Sequence, residues 1–122
     1  MKVLLLSFLT LLFISCKQEE NLIKSTSEKP QTSNIKVSFI SIGSGIEKSG
    51  TKNLEGLISE FEQNNQLKLI VSIKKWGREG EKDYCIDCSN LSNERKIELK
   101  QSIDNMFQSS KLIRVFSDVS CD

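Results

Sequence analysis

The sequence contains no histidine and only one proline, one tryptophan and one tyrosine. Histidine is the commonest general base and proton shuttle near neutral pH, so its absence excludes Ser-His and Cys-His nucleophile pairs. A carboxylate site is the remaining acid-base option, and Asp83 and Asp87 share a predicted strand face. They lie four residues apart on a strand that rises ~3.3 Å per residue, which is too far for a tight pair. We therefore predict a protein that is not an enzyme, and we identify no cofactor.

The chain also lacks an apolar run long enough to cross a bilayer, which requires ~20 residues. Its longest apolar stretch, residues 3–14, follows Lys2 and is interrupted only by Ser7 and Thr10. A positive residue before a short apolar core is typical of an export signal. We interpret residues 1–15 as a signal peptide and not as a transmembrane helix.

The apolar run ends in Phe13, Ile14, Ser15 and Cys16, a segment that resembles the lipobox of bacterial lipoproteins. The resemblance covers the first sixteen residues only. It implies that the signal peptide is removed, that the Cys16 thiol is diacylated with chains such as palmitate, and that the protein is anchored to a membrane. Two or more acyl chains anchor a protein stably, whereas one holds it only marginally.

The residues after Cys16 bear on which membrane holds the anchor. Lys17 stands where lipoproteins retained in the inner membrane typically have aspartate, and the charged segment KQEE at 17–20 is similar to signals that send some lipoproteins to the outer membrane. The resemblance therefore implies an outer-membrane location. It leaves open whether the protein faces the periplasm or the cell surface.

The charges of the chain are balanced, with 17 Lys and Arg against 16 Asp and Glu. Cleavage after residue 15 removes Lys2 and no acid, which leaves 16 residues of each sign. A neutral chain creates no strong field toward nucleic acid, so we predict no nucleic-acid partner and membrane contact through the lipid anchor. Residues 16–33 are mostly polar and contain the only proline, which predicts a flexible tether.

Residues 34–122 are predicted to form one small domain. Apolar and polar residues alternate in four segments, 34–42, 67–73, 82–88 and 112–116, and this period is typical of half-buried strands. The polar turn GREGE at 77–81 joins the second and third strands into a hairpin.

Two further segments have the period of an amphipathic helix. The first spans about residues 51–63, and the second begins after Ser92, a favourable N-cap residue. Their apolar stripes are Leu54, Leu57, Ile58 and Phe61 in the first helix and Leu99, Ile103, Met106 and Phe107 in the second. The order β-α-β-β-α-β predicts an α+β, ferredoxin-like domain in which two helices cover one face of a four-stranded antiparallel sheet.

Strand parity divides the predicted sheet into two faces. The helix-facing side should carry Ile35, Val37, Phe39, Leu67, Leu69, Val71, Ile73, Tyr84, Ile86, Ile113 and Val115. The other side, which we call the open face, should carry Lys36, Ile40, Lys68, Ile70, Lys74, Asp83, Asp87, Arg114 and Phe116.

The glycine-rich turn IGSGIEKSGTK at 42–52 joins a strand to a helix, where backbone amides favour anions. Gly45 and Gly50 have the spacing of a phosphate loop, but Thr51 and Lys52 stand in the reverse of the required order. We predict a plain turn here, with a small-anion site as the minor alternative.

Three cysteines remain after lipidation, Cys85, Cys88 and Cys121, and an oxidising compartment favours one disulfide among them. Cys85 and Cys88 would lie ~10 Å apart on an extended strand, so we predict a disulfide between Cys88 and Cys121, whose positions fall at one edge of the sheet. The alternative is a thiol-disulfide redox protein that uses Cys85 and Cys88. A zinc site would need a carboxylate as fourth ligand, and we predict no metal.

The segment KKWGREGE at 74–81 contains the only tryptophan among charges of both signs. Trp and Arg are enriched at binding hot spots, so we predict a partner-binding surface with Trp76 as anchor and Lys74 and Arg78 as orienting charges. Together these patterns predict a non-catalytic binding module for a protein or cell-envelope partner. An immunity-type inhibitor of a secreted toxin is a second form of that prediction.

Overall fold

The structure is a computed structural model that describes residues 32–122. The predictions made for the signal peptide, for Cys16 and for residues 17–31 of the tether lie outside this range. Among residues 32–122 no helix is both long and apolar enough to cross a membrane. The elements, in chain order, are β1 Asn34–Phe39, α1 Lys48–Asn65, β2 Ile70–Lys75, β3 Lys82–Asp87, α2 Asn93–Phe107 and β4 Ile113–Ser117.

The four strands form one sheet in the order β2-β3-β1-β4. Every neighbouring pair is antiparallel, so β2 and β4 are the edge strands and β3 runs in the same direction as β4. The α+β prediction with βαββαβ order is confirmed. The sheet begins at Asn34, directly after Ser33, whose carbonyl accepts the Cys88 amide at 2.9 Å.

The core lies between the helices and one face of the sheet. Phe39 sits at its centre, because its ring contacts Tyr84 and Phe107 edge to face with centroids 5.5 and 6.0 Å apart. The predicted helix-facing residues are buried or packed against this core with one exception. Ile73 is 50% exposed, because it lies in edge strand β2 and borders an open groove beside α1.

The first helix begins at Lys48 and not at the predicted Thr51, because Gly50 belongs to its first turn. A Cβ at position 50 would lie 2.6 Å from Ile113 Cδ1 and 3.1 Å from Phe39 Cε1. Glycine therefore allows α1 to approach the sheet closely. The sequence pattern predicts Gly50 to be part of a turn. In the structure Gly50 is a helical residue that the packing of α1 against the sheet requires.

The second strand begins at Ile70 and not at Leu67. Gln66 ends α1 with a left-handed φ of 52°, and the Glu62 carboxylate accepts the Leu69 amide at 2.8 Å. These contacts keep residues 66–69 against the end of α1. Leu67 and Leu69 still pack against the core, although they lie outside the sheet ladder.

The second helix confirms the predicted cap, since Ser92 Oγ accepts the Arg95 amide at 3.3 Å. Leu99, Ile103 and Phe107 are buried, as predicted. Met106 is 40% exposed, so its place in the predicted stripe is wrong. Ile103 and Phe107, four residues apart, occupy the buried face of the helix. Met106 therefore lies at the edge of the apolar stripe.

Candidate functional site

The strongest candidate surface is the end of the β2–β3 hairpin, where the structure brings Trp76 and Lys74 together. Trp76 directly follows β2, and its indole Nε1 donates to Asp83 Oδ1 at 3.0 Å. Lys74 lies opposite the same Asp83 in the sheet register. This places the indole on the open face, as predicted, with 43% of the residue exposed.

The positive charges of this surface have no ion-pair partner within the described residues. The three ion pairs found there join Lys68 to Glu62, Lys96 to Asp118 and Lys100 to Asp104. Lys74 and Arg78 are both exposed and belong to none of these pairs. The hairpin therefore presents an aromatic ring beside cationic groups that are free to meet an anionic partner.

The tip of the hairpin is ordered by its two acidic residues. Glu81 is buried and accepts the Glu79 amide at 2.8 Å, and the Trp76 amide donates to the Glu81 carbonyl at 2.9 Å. Gly77 and Gly80 have left-handed φ values of 71° and 91°, a conformation that glycine adopts without strain. The tip is thus a hydrogen-bonded loop that holds Arg78 outward.

The glycine-rich turn contacts this tip through Glu79. The Glu79 carboxylate accepts hydrogen bonds from the Ser41 hydroxyl and from the Gly43 amide, the latter at 3.1 Å. The Ser41 hydroxyl also accepts from the Gly45 amide at 3.1 Å. The Gly43 amide is thus turned toward a carboxylate of the chain itself and the Gly45 amide toward the Ser41 hydroxyl. Gly50, the other glycine of the phosphate-loop spacing, packs in the core.

The predicted Cys88–Cys121 disulfide is wrong, because the structure joins Cys85 to Cys121 with their Cα atoms 5.9 Å apart. Cys88 continues the helix-facing parity of Tyr84 and Ile86 and is buried in the core. Cys85 lies on the open face, opposite Lys36. The position of the strand ends favours Cys88 as the partner of Cys121, whereas the face that each cysteine occupies selects Cys85.

The chain reaches Cys85 by turning back after β4. Asp118 has a left-handed φ of 56°, and its amide donates to the Asn34 carbonyl at 2.9 Å. Asn34 Nδ2 donates in turn to the Val119 carbonyl at 3.2 Å. Because β1 lies between β3 and β4, the C-terminal segment crosses the open face of β1 to bring Cys121 to Cys85.

The remaining thiol, Cys88, is poorly suited to exchange with Cys85. The two cysteines lie on opposite faces of the sheet, and Cys88 is 1% exposed. Burial raises the pKa of the Cys88 thiol, and Asp87 and Asp118 add to this while Lys96 opposes it. The nucleophilic thiolate is therefore disfavoured, and the geometry gives no support to the redox alternative.

A second surface feature is a groove of about 350 Å³ between α1 and β2, which the sequence patterns did not indicate. Its lining includes Ile58, Leu69, Val71 and Ile73 as apolar residues and Glu55, Glu62 and Tyr84 as polar ones. Glu55 accepts a hydrogen bond from the Tyr84 hydroxyl at 2.7 Å. Burial, and to a lesser degree this hydrogen bond, raises the pKa of Tyr84 far above its ordinary value.

One acidic group of this groove, Glu62, is held in its ionised form by its hydrogen-bond donors. Hydrogen bonds from Lys68 and from the Leu69 amide lower the pKa of Glu62. Lys68 neutralises Glu62 in part, whereas Glu55 contacts only the neutral Tyr84 hydroxyl. The groove therefore combines an apolar floor with a rim that carries two glutamates and Lys68. Glu55 and Glu62 lie seven residues apart in the sequence of α1, but this spacing alone does not indicate a groove.

The two carboxylates considered for acid-base chemistry, Asp83 and Asp87, make separate contacts in the structure. Asp83 binds the indole of Trp76, and the Asp87 carboxylate accepts the Ser89 amide at 2.8 Å, which lowers the pKa of Asp87. Within residues 32–122 no three His, Cys, Asp or Glu side chains lie close enough to hold a metal ion.

Comparisons of the chain with protein-family models, with curated proteins and with solved structures found no match.

Proposed function

We propose that this protein is a lipid-anchored lipoprotein of the outer membrane whose folded domain binds a partner and catalyses no reaction. The anchor is proposed from the lipobox-like residues ending at Cys16. The binding role is proposed from the hairpin surface, where Trp76 lies beside Lys74 and Arg78.

The single observation that best supports binding is the environment of Trp76. Removing apolar surface from water is favourable by about 25 cal/mol per Å². A tryptophan ring that stays exposed does not gain this free energy. Here 43% of the residue stays exposed, although the hydrogen bond to Asp83 fixes the ring in place. A ring held in one orientation loses little conformational entropy when a partner covers it.

The test is to capture the partner by chemical crosslinking in the native envelope and to compare variants. Trp76→Ala should reduce capture by more than tenfold, because a buried tryptophan commonly contributes about 2 kcal/mol or more at an interface. The variant should unfold as cooperatively as the wild type, since Trp76 lies outside the core. The measurement is the amount of crosslinked partner per folded molecule, quantified by mass spectrometry.

Phe116→Ala is the matched control. Phe116 is 40% exposed and lies on the same open face, but in β4, so its loss should leave capture unchanged. If Phe116→Ala removes capture and Trp76→Ala does not, the partner binds at the other side of the sheet and the proposed site is wrong.

The identity of the captured molecule distinguishes the two partner classes that the proposal contains. An envelope component would be captured from cells grown alone. A secreted toxin, the partner of an immunity-type inhibitor, would be captured only in the presence of cells that produce it.

The anchor is tested by Cys16→Ser with radiolabelled palmitate. The variant should take up no label and should leave the membrane fraction. Protease treatment of intact cells then reports the orientation, since only a surface-exposed domain is cleaved. A Cys16→Ser protein that is still labelled and membrane-bound would contradict the lipoprotein assignment.

A further inference from the structure

Strand β2 is an edge of the sheet whose outer side carries no pairing strand in the described residues. The Trp76 amide donates to the Glu81 carbonyl across the hairpin, and hydrogen-bonded pairs alternate along antiparallel strands. The even-numbered residues of β2 therefore direct their backbone groups toward β3. Those of Val71, Ile73 and Lys75 point outward and are free to pair with another strand.

The same strand concentrates exposed apolar side chains. Ile70 is 64% exposed, Ile73 50% and the adjoining Trp76 43%. Natural proteins protect edge strands because free edges associate with other strands. Both the unpaired backbone and the exposed apolar residues thus mark β2 as a surface that a further strand would cover.

We propose that β2 pairs antiparallel with β2 of a second copy of this chain, with Ile73 opposite Ile73 on the two-fold axis. This inference goes beyond the proposed function and does not depend on the lipid anchor. Because the strands pair edge to edge, the open face that carries Trp76 stays uncovered in the dimer. The pairing joins two four-stranded sheets into one sheet of eight strands. It uses the free backbone groups of Val71, Ile73 and Lys75 in each copy.

The side-chain pattern of β2 suits pairing with itself in this register. Ile70 then lies opposite Trp76 of the second copy on the open face, and Ser72 lies opposite Lys74. On the helix-facing side Val71 lies opposite Lys75 of the second copy. Ile70, Ile73 and Trp76 each gain an apolar neighbour from the second copy. No lysine lies directly opposite another lysine across the interface, and such a like-charge pair would be destabilising.

Charge complementarity selects the second copy as the occupant. Within its own chain Lys75 lies opposite Lys82, a like-charge pair, and it has no acidic partner within the described residues. In the dimer it projects next to Val71 of the second copy, in the groove between Glu55 and Glu62. Glu55 of one copy, which has no ion-pair partner among the described residues, thus meets the unpaired lysine of the other, twice by symmetry.

Cysteine crosslinking of the purified full-length chain tests both the pairing and its register. Cα atoms of a hydrogen-bonded antiparallel pair lie ~5.5 Å apart, within the range that a disulfide bridges. Ile73→Cys should therefore form a disulfide-linked dimer under mild oxidation. Val71→Cys and Lys75→Cys should not form such a dimer separately, but should crosslink to each other when the two proteins are mixed.

Two controls define the baseline of this experiment. The wild type contains the buried Cys88 and reports any background from native thiols. Ile97→Cys places a cysteine at an isoleucine of α2 that is 55% exposed, which matches the exposure of Ile73. Equal crosslinking of Ile97→Cys and Ile73→Cys, or no crosslinking above the wild type, would overturn the proposal.

Sedimentation of the full-length chain in detergent gives an independent measurement. Ile73→Lys places like charges on the two-fold axis and should weaken the dimer at least tenfold, whereas Ile97→Lys should leave it unchanged. A wild type that stays monomeric at all concentrations would overturn the proposal. Because Ile73 is half exposed, both variants should retain the fold, which circular dichroism verifies.

Discussion

At the residue scale, the two glycines of α1 have opposite effects on stability. Gly50 faces the core, where a Cβ would press on Ile113 and Phe39. Gly56 is exposed, and a Cβ there would meet nothing within 4 Å. The first glycine is required by packing, whereas the second only weakens the helix.

We expect Gly50→Ala to destabilise the domain and Gly56→Ala to stabilise it. Alanine gains about 1 kcal/mol over glycine within a helix, but overpacking a tight core costs about 1–3 kcal/mol. The sum at position 50 is a net loss of about 1 kcal/mol, and at position 56 a net gain of about 1 kcal/mol. Urea unfolding measures both, and two changes of equal sign would contradict the close approach of α1 to the sheet.

Glu62 is the residue whose charge most directly links α1 to the segment before β2. Its carboxylate accepts hydrogen bonds from Lys68 Nζ at 2.7 Å and from the Leu69 amide at 2.8 Å. Both bonds favour the ionised form, and their combined effect is the lowered pKa of Glu62 in the folded state.

The stability that Glu62 contributes should therefore depend on pH. A pKa lowered by folding stabilises the native state above the ordinary glutamate value, about 4.3, and this contribution is lost as pH falls through the folded value. Glu62→Gln should be less stable than the wild type at pH 7, and the difference should shrink below about pH 4. Glu60→Gln, on the exposed face of α1, is the control. A difference independent of pH would contradict the charged interaction.

At the scale of elements, the hairpin tip and the β1–α1 turn hold each other through a single carboxylate. Glu79 accepts from Ser41 and from the Gly43 amide, so the turn that precedes α1 is fixed to the turn between β2 and β3. Both turns lie outside the strands and helices, so the hydrogen bonds of those elements do not order them.

We expect Glu79→Gln to loosen both turns while leaving the core intact. The amide replaces a charged acceptor by a neutral one, and charge-assisted hydrogen bonds are roughly twice as strong as neutral ones. Hydrogen exchange at the Gly43 amide should accelerate several-fold, and global stability should fall by less than about 1 kcal/mol. Protection of Gly43 that equals the wild type would show that Ser41 alone orders the turn.

The order of the elements was predictable, and their boundaries were less so, for identifiable reasons. Alternation predicted the start of β1 and the bounds of β3 to within one residue, because both are central strands with one face in the core. It was wrong at the end of β1, which was predicted at residue 42 and lies at Phe39. The start of β2 was missed because Glu62 captures the Leu69 amide, a side-chain contact that no periodicity encodes. The groove between α1 and β2 was missed as well, since it depends on how far the helix stands from the edge strand.

At the scale of the whole domain, the disulfide fixes the segment after β4 to the central strand β3. The segment after β4 turns at Asp118, is held by Asn34 at the start of β1, and ends at Cys85 of β3. Sequence patterns could not predict this path, because a left-handed aspartate and one asparagine amide determine it. The parity of Tyr84 and Ile86, however, already placed Cys88 in the core.

Paired cysteine variants provide the decisive test of this connectivity. The bridge closes a separation of 36 residues, for which chain entropy predicts a stabilisation of about 3–4 kcal/mol. Cys85→Ser and Cys121→Ser should therefore each lower the free energy of unfolding by about that amount. The double variant should lose little more, because both single changes remove the same bond.

Cys88→Ser supplies the control for that comparison, because its effect comes from placing a hydroxyl in the core. Its cost, about 1–3 kcal/mol, should add to that of Cys121→Ser in the double variant. If Cys88 were instead the partner of Cys121, the additivity would be reversed, with Cys88 and Cys121 failing to add and Cys85 adding in full. Denaturant unfolding of the five variants distinguishes the two patterns, because the reversal exceeds the error of each measurement.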